Sequence, residues 1–297
     1  MISVIIPVYN EEKGVVKTLQ EIQAVLEADF SAYEIIVVND GSTDTSGEKI
    51  NKLKIKNLIF VNHMENLGYG KSLLDGILAA KYNCVAIIDG DGSYSAKYIK
   101  DLYAYFPQYD MVVGARQGKE YRRGIWKRPA RMFFKMFAEY AAGRRIPDVN
   151  SGLRIFKKDI VLNFQDSLCA GFSFTTTLTL VFLLNHYFVK YLPIEYAKRE
   201  GKTKVNHLRD TLRVSQIIIE AVLYYNPFKL FLLIGLTNAI FGLVLCFWNF
   251  LVFKTDFLSI VSAISVASFI PIFCIGLIAG QLKKIYNLSK RQKQLVD

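Results

Sequence analysis

Histidine and cysteine are scarce in this chain of 297 residues, with three of the first and four of the second. Cys84, Cys169, Cys246 and Cys274 form no C-x-x-C pair, which argues against a disulfide framework and a zinc site; they read as small buried hydrophobes. His63, His186 and His207 are scattered without metal-ligand spacing and read as ordinary residues. No G-x-G-x-x-G follows the first apolar run and no Walker lysine motif occurs, so dinucleotide and P-loop readings lose their main support. Nothing at the N-terminus resembles a signal peptide, because Met1 leads into a strand-like run with no basic stretch before it. The large N-terminal part is therefore expected to stay on the side of synthesis.

Charge is missing altogether from residues 230–253 and from residues 257–280. Each stretch would reach about 36 Å as a helix, against a hydrocarbon core of roughly 30 Å, so two transmembrane helices are expected. Arg213 and Lys229 precede the first and Lys283, Lys284, Lys290, Arg291 and Lys293 follow the second, while Lys254 and Asp256 lie between them. The positive-inside rule then places both termini in the cytoplasm. Gly276 and Gly280 form a G-x-x-x-G in the second span, a motif that brings helices close and suggests a homo-oligomer.

The net charge of +11 is concentrated, with ten Lys or Arg against Glu120 and Glu139 in residues 116–145 and a second basic run in residues 198–213. Next to two membrane spans, anionic lipid is a better partner for this charge than nucleic acid. Trp126, Met132, Phe133, Met136, Phe137 and Tyr140 fall on one side of a helix with Lys127, Arg128, Arg131 and Lys135 around the other, the pattern of a helix lying in the headgroup plane. A second such helix over residues 208–225 leads to Pro227 and the first span.

The N-terminal part alternates strand, loop and helix. Residues 2–8, 35–38, 58–61, 84–88 and 111–113 are short runs without alternation, which implies strands buried on both faces of a mostly parallel sheet between helix layers. Ligands in such sheets sit beyond the carboxyl ends of the strands. The loops there carry Pro7, Tyr9 and Glu11 after the first strand, Asp40 after the second, and Asp89-Gly90-Asp91 after the fourth. Two carboxylates one residue apart across a glycine can face one hard divalent cation, and such a cation suits a diphosphate. Residues 178–184 are apolar but too short to span, and read as a buried helix.

Ile5-Ile6-Pro7-Val8-Tyr9-Asn10-Glu11, Val38-Asn39-Asp40-Gly41-Ser42-Thr43-Asp44, Asn66-Leu67-Gly68-Tyr69-Gly70 and Asp89-Gly90-Asp91, in that order, resemble the motifs of the inverting family-2 glycosyltransferases with the GT-A fold. Asp148-Val149-Asn150-Ser151-Gly152-Leu153-Arg154-Ile155-Phe156 and the two spans make the chain similar to the dolichyl-phosphate mannose synthases and bacterial polyprenyl-phosphate glycosyltransferases. The resemblance implies an α/β, GT-A (Rossmann-like) catalytic domain over residues 1–207 with an interfacial helix near 126–143. An amphipathic helix over 208–229, two transmembrane helices over 230–280 and a basic cytoplasmic tail over 281–297 would follow. It implies that Pro7, Tyr9, Glu11, Asp40 and Asp89 bind a nucleotide-sugar donor, with Asp40 accepting from a base N–H. Asp91, with Asp89 on the metal or the sugar, would hold Mg²⁺ or Mn²⁺. Many relatives have Gln two residues after the second aspartate, where this chain has Ser93.

The expected reaction moves one sugar from a UDP- or GDP-sugar to a polyprenyl phosphate at the cytoplasmic face. Asp89, Asp91, Asp148 and Arg116 form the expected catalytic set, and Arg116, Arg131, Arg199 and Lys202 are expected to clamp the acceptor phosphate. Asp148 either orients the acceptor or sugar, steadies an arginine, or caps a turn. A processive polysaccharide synthase would share the first half of the chain, but no Q-x-x-R-W motif occurs and two spans are few for a translocation channel. A transferase for another membrane lipid, or a non-catalytic membrane scaffold of the same fold, are the further alternatives; a scaffold would need no metal site. A reporter fused after Asp297 should be cytoplasmic and one inserted at Thr255 external; an exported C-terminal reporter overturns the two-span topology.

Overall fold

The computed structural model describes residues 1–118, 142–165, 174–197 and 227–294, together with Met132, Lys135, Met136, Ala138, Glu139, Tyr140, Gln216, Ile219 and Leu223. Arg131, Arg199 and Lys202 lie outside the described residues, as does most of both expected interfacial helices. The chain divides into two compact units, Met1–Ile217 and Ile218–Asp297.

The first unit is built on a seven-stranded sheet: β1 (Ile2–Val8), β2 (Tyr33–Asn39), β3 (Leu58–Asn62), β4 (Cys84–Ile87), β5 (Met111–Gln117), β6 (Arg154–Lys157) and β7 (Val189–Glu195). The order across it is β3-β2-β1-β4-β6-β5-β7. Every residue of β1, β2 and β4 is buried, as uniformly apolar runs require when both faces are covered. The covering helices include α1 (Val15–Asp29), α2 (Ser46–Lys52), α3 (Tyr69–Ala79) and α4 (Tyr98–Tyr103). Helix α1 turns Val15, Leu19, Ile22 and Leu26 onto the sheet, the three- and four-residue spacing of its sequence. Strand β7 is an edge, and there Pro193 is tolerated because no second neighbour asks for its missing N–H.

Strand β6, which the sequence pattern did not reveal as a strand, runs antiparallel between β4 and β5. Its first residue, Arg154, pairs with Ile87 at the end of β4, so the preceding residues 148–153 arrive at the end of the sheet that carries Asp89. After β6 come α5 (Lys158–Asn163) and α6 (Phe174–Leu184). Helix α6 is the expected buried helix, extended towards the N-terminus by Phe174, Thr175, Thr176 and Thr177, which are also buried.

The second unit is a helical hairpin. Helix α7 (Pro227–Trp248) runs on through a π-helical turn, Asn249–Phe253, and is followed by α8 (Asp256–Ala267) and α9 (Phe269–Gln294). Pro227–Phe253 and Asp256–Leu282 are long and apolar enough to cross a membrane, with mean hydropathies of 2.4 and 2.3. Asn249 closes the turn by donating to the Thr255 carbonyl at 2.9 Å and accepting from the Thr255 N–H at 2.9 Å. The second stretch breaks at Ser268, three residues before Pro271, whose ring nitrogen has no proton for the helical ladder. Asn238 reaches across from α7 to that break and donates to Ser268 Oγ at 2.6 Å.

Close approach between the helices uses glycine. A Cβ on Gly242 would lie 2.9 Å from the Ser262 carbonyl, and one on Gly276 would lie 2.8 Å from Phe231 Cβ. The first glycine of the G-x-x-x-G is thus spent inside the hairpin, whereas a Cβ on Gly280 would meet nothing within 4 Å among the described residues. Gly276→Leu should therefore lower the thermal midpoint in detergent, with overpacking costing about 1–3 kcal/mol, and Gly280→Leu should leave it unchanged. Equal effects at the two positions would contradict this packing.

Candidate active site

Three loops meet beyond the carboxyl ends of β1, β2 and β3. Asn10, held at a positive φ of 52°, accepts from the Thr43 N–H at 2.7 Å and the Asp44 N–H at 3.2 Å, and its own N–H donates to Ser42 Oγ at 3.0 Å. The Glu11 N–H donates to Ser46 Oγ at 2.8 Å, and Glu11 itself is buried. Gly41 has φ +64°, and a Cβ there would fall 2.4 Å from the Glu65 carbonyl carbon, so only glycine lets the loop after β3 close in. Gly90 packs more loosely on β1, where a Cβ would fall 3.2 Å from Ile6 Cγ2 and 3.4 Å from the Pro7 carbonyl oxygen. Tyr9 is half-buried beside these residues.

Asp40 is buried at the centre of this junction. Its Oδ1 accepts from His63 Nδ1 and the Leu67 N–H, and its Oδ2 from the Gly68 N–H, all at 2.9 Å. A carboxylate offers about four lone-pair directions. Oδ2 therefore retains one acceptor site, the capacity that an N–H of a base would use. His63, read from sequence as ordinary, is the residue whose role only the structure reveals: its Nε2 lies 3.1 Å from Asp75 Oδ2, so the ring bridges two carboxylates. The Nε2 contact makes no aligned hydrogen bond, and Asp75 is in turn paired with Lys71 at 2.6 Å.

Asp89 and Asp91 follow β4. The Tyr69 hydroxyl donates to Asp89 Oδ1 at 2.9 Å. The other oxygen lies against Gly152, where a Cβ would come within 2.2 Å of Oδ2. Gly152 is positioned by its N–H, which donates to the Tyr94 hydroxyl at 2.7 Å. Asp91 is buried, and Ser93 donates to its Oδ1 twice, from N–H at 3.0 Å and from Oγ at 2.5 Å. The serine that stands in place of the relatives' glutamine thus orients the second aspartate.

Arg116 and Asp148 form a two-pronged ion pair, Nε to Oδ2 at 2.7 Å and Nη2 to Oδ1 at 2.9 Å. Backbone N–H groups of Arg116 and Asn150 also donate to Asp148, each at 3.1 Å. Burial acting alone would raise the Asp148 pKa, but the guanidinium and these donors outweigh it and hold the carboxyl below the usual range. Of the three roles open to Asp148, the geometry contains two, the steadying of an arginine and the capping of the turn at Asn150. The Arg116 guanidinium also lies 5.5 Å over the Tyr196 ring. Beneath the loop sits Arg154, fully buried, whose Nε donates to the Ser151 carbonyl at 3.1 Å and whose Nη1 donates to the Thr175 carbonyl and Thr179 Oγ1, both at 3.0 Å.

No group of three or more His, Cys, Asp or Glu poised for a metal occurs among the described residues. Asp89 and Asp91 nevertheless fit Mg²⁺ or Mn²⁺ in kind: both are hard oxygen donors, delivered one residue apart at the end of β4. Two carboxylates with the remaining positions left to substrate phosphates and water is the usual provision for such a cation. Cys84 is not part of the site: it opens β4, at the end of the strand away from Asp89, and burial pushes its thiol up to about 12. Asp148→Asn should cost about 3 kcal/mol at neutral pH by breaking a buried pair. The depressed carboxyl stabilises the fold fully above its unfolded value of about 3.9 and loses that contribution as pH falls through the lower folded value. Thermal midpoints of wild type and variant should accordingly converge at acid pH, and a constant gap would refute the pairing.

The model for glycosyl transferase family 2 matches residues 3–175. The dolichyl-phosphate hexose transferase of Haloferax volcanii is 25% identical over 225 residues, covering 75% of this chain and 94% of that one. The undecaprenyl-phosphate 4-deoxy-4-formamido-L-arabinose transferase of Salmonella gallinarum is 23% identical over 246 residues, 81% of this chain and 73% of its own. With the low-salt glycan biosynthesis hexosyltransferase of Haloferax volcanii the identity is 26% over 71% of this chain, which spans only about half, 51%, of that relative's length. Glucosyl-3-phosphoglycerate synthase of Mycobacterium tuberculosis, in complex with Mn²⁺, UDP and phosphoglyceric acid, superposes with a TM-score of 0.59 at 16% identity, over 74% of this chain and 78% of that one. S. aureus TarS in complex with UDP-GlcNAc gives a TM-score of 0.53 at 22% identity, over 75% and 66% of the two chains. Such low identities carry the fold alone, and that fold is GT-A. Because the family match runs from β1 to the start of α6 and takes in Pro7, Asp40, Asp89, Asp91, Arg116 and Asp148, the chain belongs to glycosyl transferase family 2.

Proposed function

We propose that the protein transfers a single sugar, with inversion, from a UDP- or GDP-sugar to the phosphate of a polyprenyl or dolichyl carrier at the cytoplasmic face of a membrane. The observation that carries the reading is the pair Asp89 and Asp91 at the end of β4, each oriented by its own donor and set beside the junction that holds Asp40. The names of the relatives from Haloferax and Salmonella, which are transferases for dolichyl and undecaprenyl phosphate, support the acceptor class. The two long apolar helices support a membrane setting.

A phosphate monoester has its second pKa near 6, roughly, so at neutral pH its oxygen is already an anion and needs no general base. That oxygen forms the new bond to the anomeric carbon from the face opposite the leaving group. The bond from that carbon to the donor's diphosphate oxygen breaks, and its electron pair departs with the nucleoside diphosphate. Asp40 accepts from the base, with Pro7, Tyr9 and Glu11 around the nucleoside, and Asp89 faces the sugar and diphosphate. A Mg²⁺ or Mn²⁺ ion held by Asp91, with Asp89 beside it, would supply charge neutralisation to the leaving diphosphate.

Because Asp148 already matches the charge of Arg116, the pair adds direction more than net charge to the crevice. The acceptor phosphate then depends more heavily on Arg131, Arg199 and Lys202 than the sequence reading supposed. The basic runs around those residues suit anionic lipid headgroups, and no role falls to nucleic acid. A homo-oligomer would have to pack through surfaces other than Gly276. Asp91→Asn should lower turnover by about 10²–10³, measured with a panel of UDP- and GDP-sugars and a polyprenyl phosphate in the presence of Mn²⁺, while binding to anionic vesicles survives. Turnover equal to wild type would remove the catalytic reading of this turn.

A further inference from the structure

The residues Asn66, Leu67, Gly68, Tyr69 and Gly70 form a motif whose part in the site the proposed reaction does not explain. In the structure they form the turn that enters α3, with Gly68 at φ +100° as its N-cap. From consecutive positions this turn reaches two carboxylates that belong to different strands. Leu67 and Gly68 give their backbone N–H groups to Asp40, which follows β2. Tyr69 gives its hydroxyl to Asp89, which follows β4. Strand β1 lies between those two strands, so the carboxylates are separated by two strand spacings, about 10 Å, a distance comparable with the reach of a nucleoside diphosphate.

The turn itself is anchored from behind. Gly76 seats α3 directly on the sheet, since a Cβ there would lie 2.5 Å from Ile5 Cγ2. Asp75, one residue earlier, contacts His63 at 3.1 Å, and His63 in turn donates to Asp40. Asp89 is fixed on its opposite side by the bare face of Gly152.

We infer that this turn is a clip that sets both ends of the donor site together, with Tyr69 as a positioning residue that fixes Asp89 against the diphosphate end. The inference rests on the nucleotide-sugar reading of the site.

The test is calorimetric binding of UDP and GDP, each with Mn²⁺, and of uridine and guanosine without metal, to the full-length protein in detergent. Tyr69→Phe keeps the ring and removes only the hydroxyl. It should weaken the nucleoside diphosphate bound by wild type about tenfold, the usual loss for a hydrogen bond to a charged group, and leave binding of the nucleoside unchanged. Asp89→Asn should weaken the diphosphate as well, and adding Tyr69→Phe to it should change nothing further, because the tyrosine acts through that carboxylate. Gly68→Ala, which strains the backbone at both amides, should weaken nucleoside and diphosphate alike. Wild-type binding in Tyr69→Phe, an equal tenfold loss in both backgrounds, or a fall in nucleoside binding would each overturn the clip while leaving the donor reading in place. A wild-type protein that binds neither UDP nor GDP would remove the donor reading and the inference with it.

Discussion

Four carboxylates, those of Asp40, Asp89, Asp91 and Asp148, are gathered at one end of the sheet, three of them buried, and like charges held close in a poorly solvated place oppose folding. Each has been given a private set of donors. Asp40 has two backbone amides and His63, Asp89 has Tyr69, Asp91 has Ser93, and Asp148 has Arg116 with two amides. Arg154 adds a positive charge from below while bonding only to carbonyls and a hydroxyl among the described contacts, which ties residues 149–151 to α6. The same donors that let the charges coexist also fix where they point, so stability and orientation come from one set of bonds.

The parts of this arrangement legible in the sequence are those whose cause is local. Uniformly apolar β1, β2 and β4 announce a sheet covered on both faces, and the polar loops that follow them carry Asp40, Asp89 and Asp91. What stayed hidden depends on partners far along the chain. Four residues of β6 have no pattern that tells antiparallel from parallel, and their direction is set by β4 and β5 on either side. His63 looks unremarkable until Asp40 and Asp75 close on its two nitrogens, and Tyr69 reads as an ordinary residue of a glycine-rich turn until Asp89, twenty residues on, meets its hydroxyl. Arg116 and Asp148 were both visible as candidates, and an arginine steadied by Asp148 was among the open readings, but that the arginine is Arg116 was not, because the choice of partner is a property of the loop between them.

The hairpin follows a different logic. In a bilayer, where no water drives burial, helices of this length and hydropathy would be held by small residues and by a few polar contacts. Gly242 and Gly276 allow the backbones to approach, and Asn238 supplies a proton where the second stretch interrupts its own ladder at Ser268. The length and hydropathy of each stretch were evident from composition, whereas the interruption was not, since Pro271 lies in a run that otherwise reads as continuous.

The insertion of β6 between β4 and β5 carries a consequence for the order in which a growing chain can complete this site. Strands β3, β2, β1 and β4 are neighbours made from the first 87 residues, and with them come Asp40 and the Tyr69 contact to Asp89. Strand β5 emerges next but does not pair with β4, and the place between them stays vacant until Arg154–Lys157 has been synthesised. A ribosome adds residues singly and a domain folds as a unit, so a nascent chain that already carries Asp40, Asp89 and Asp91 cannot close the sheet around them until residues 148–157 have emerged.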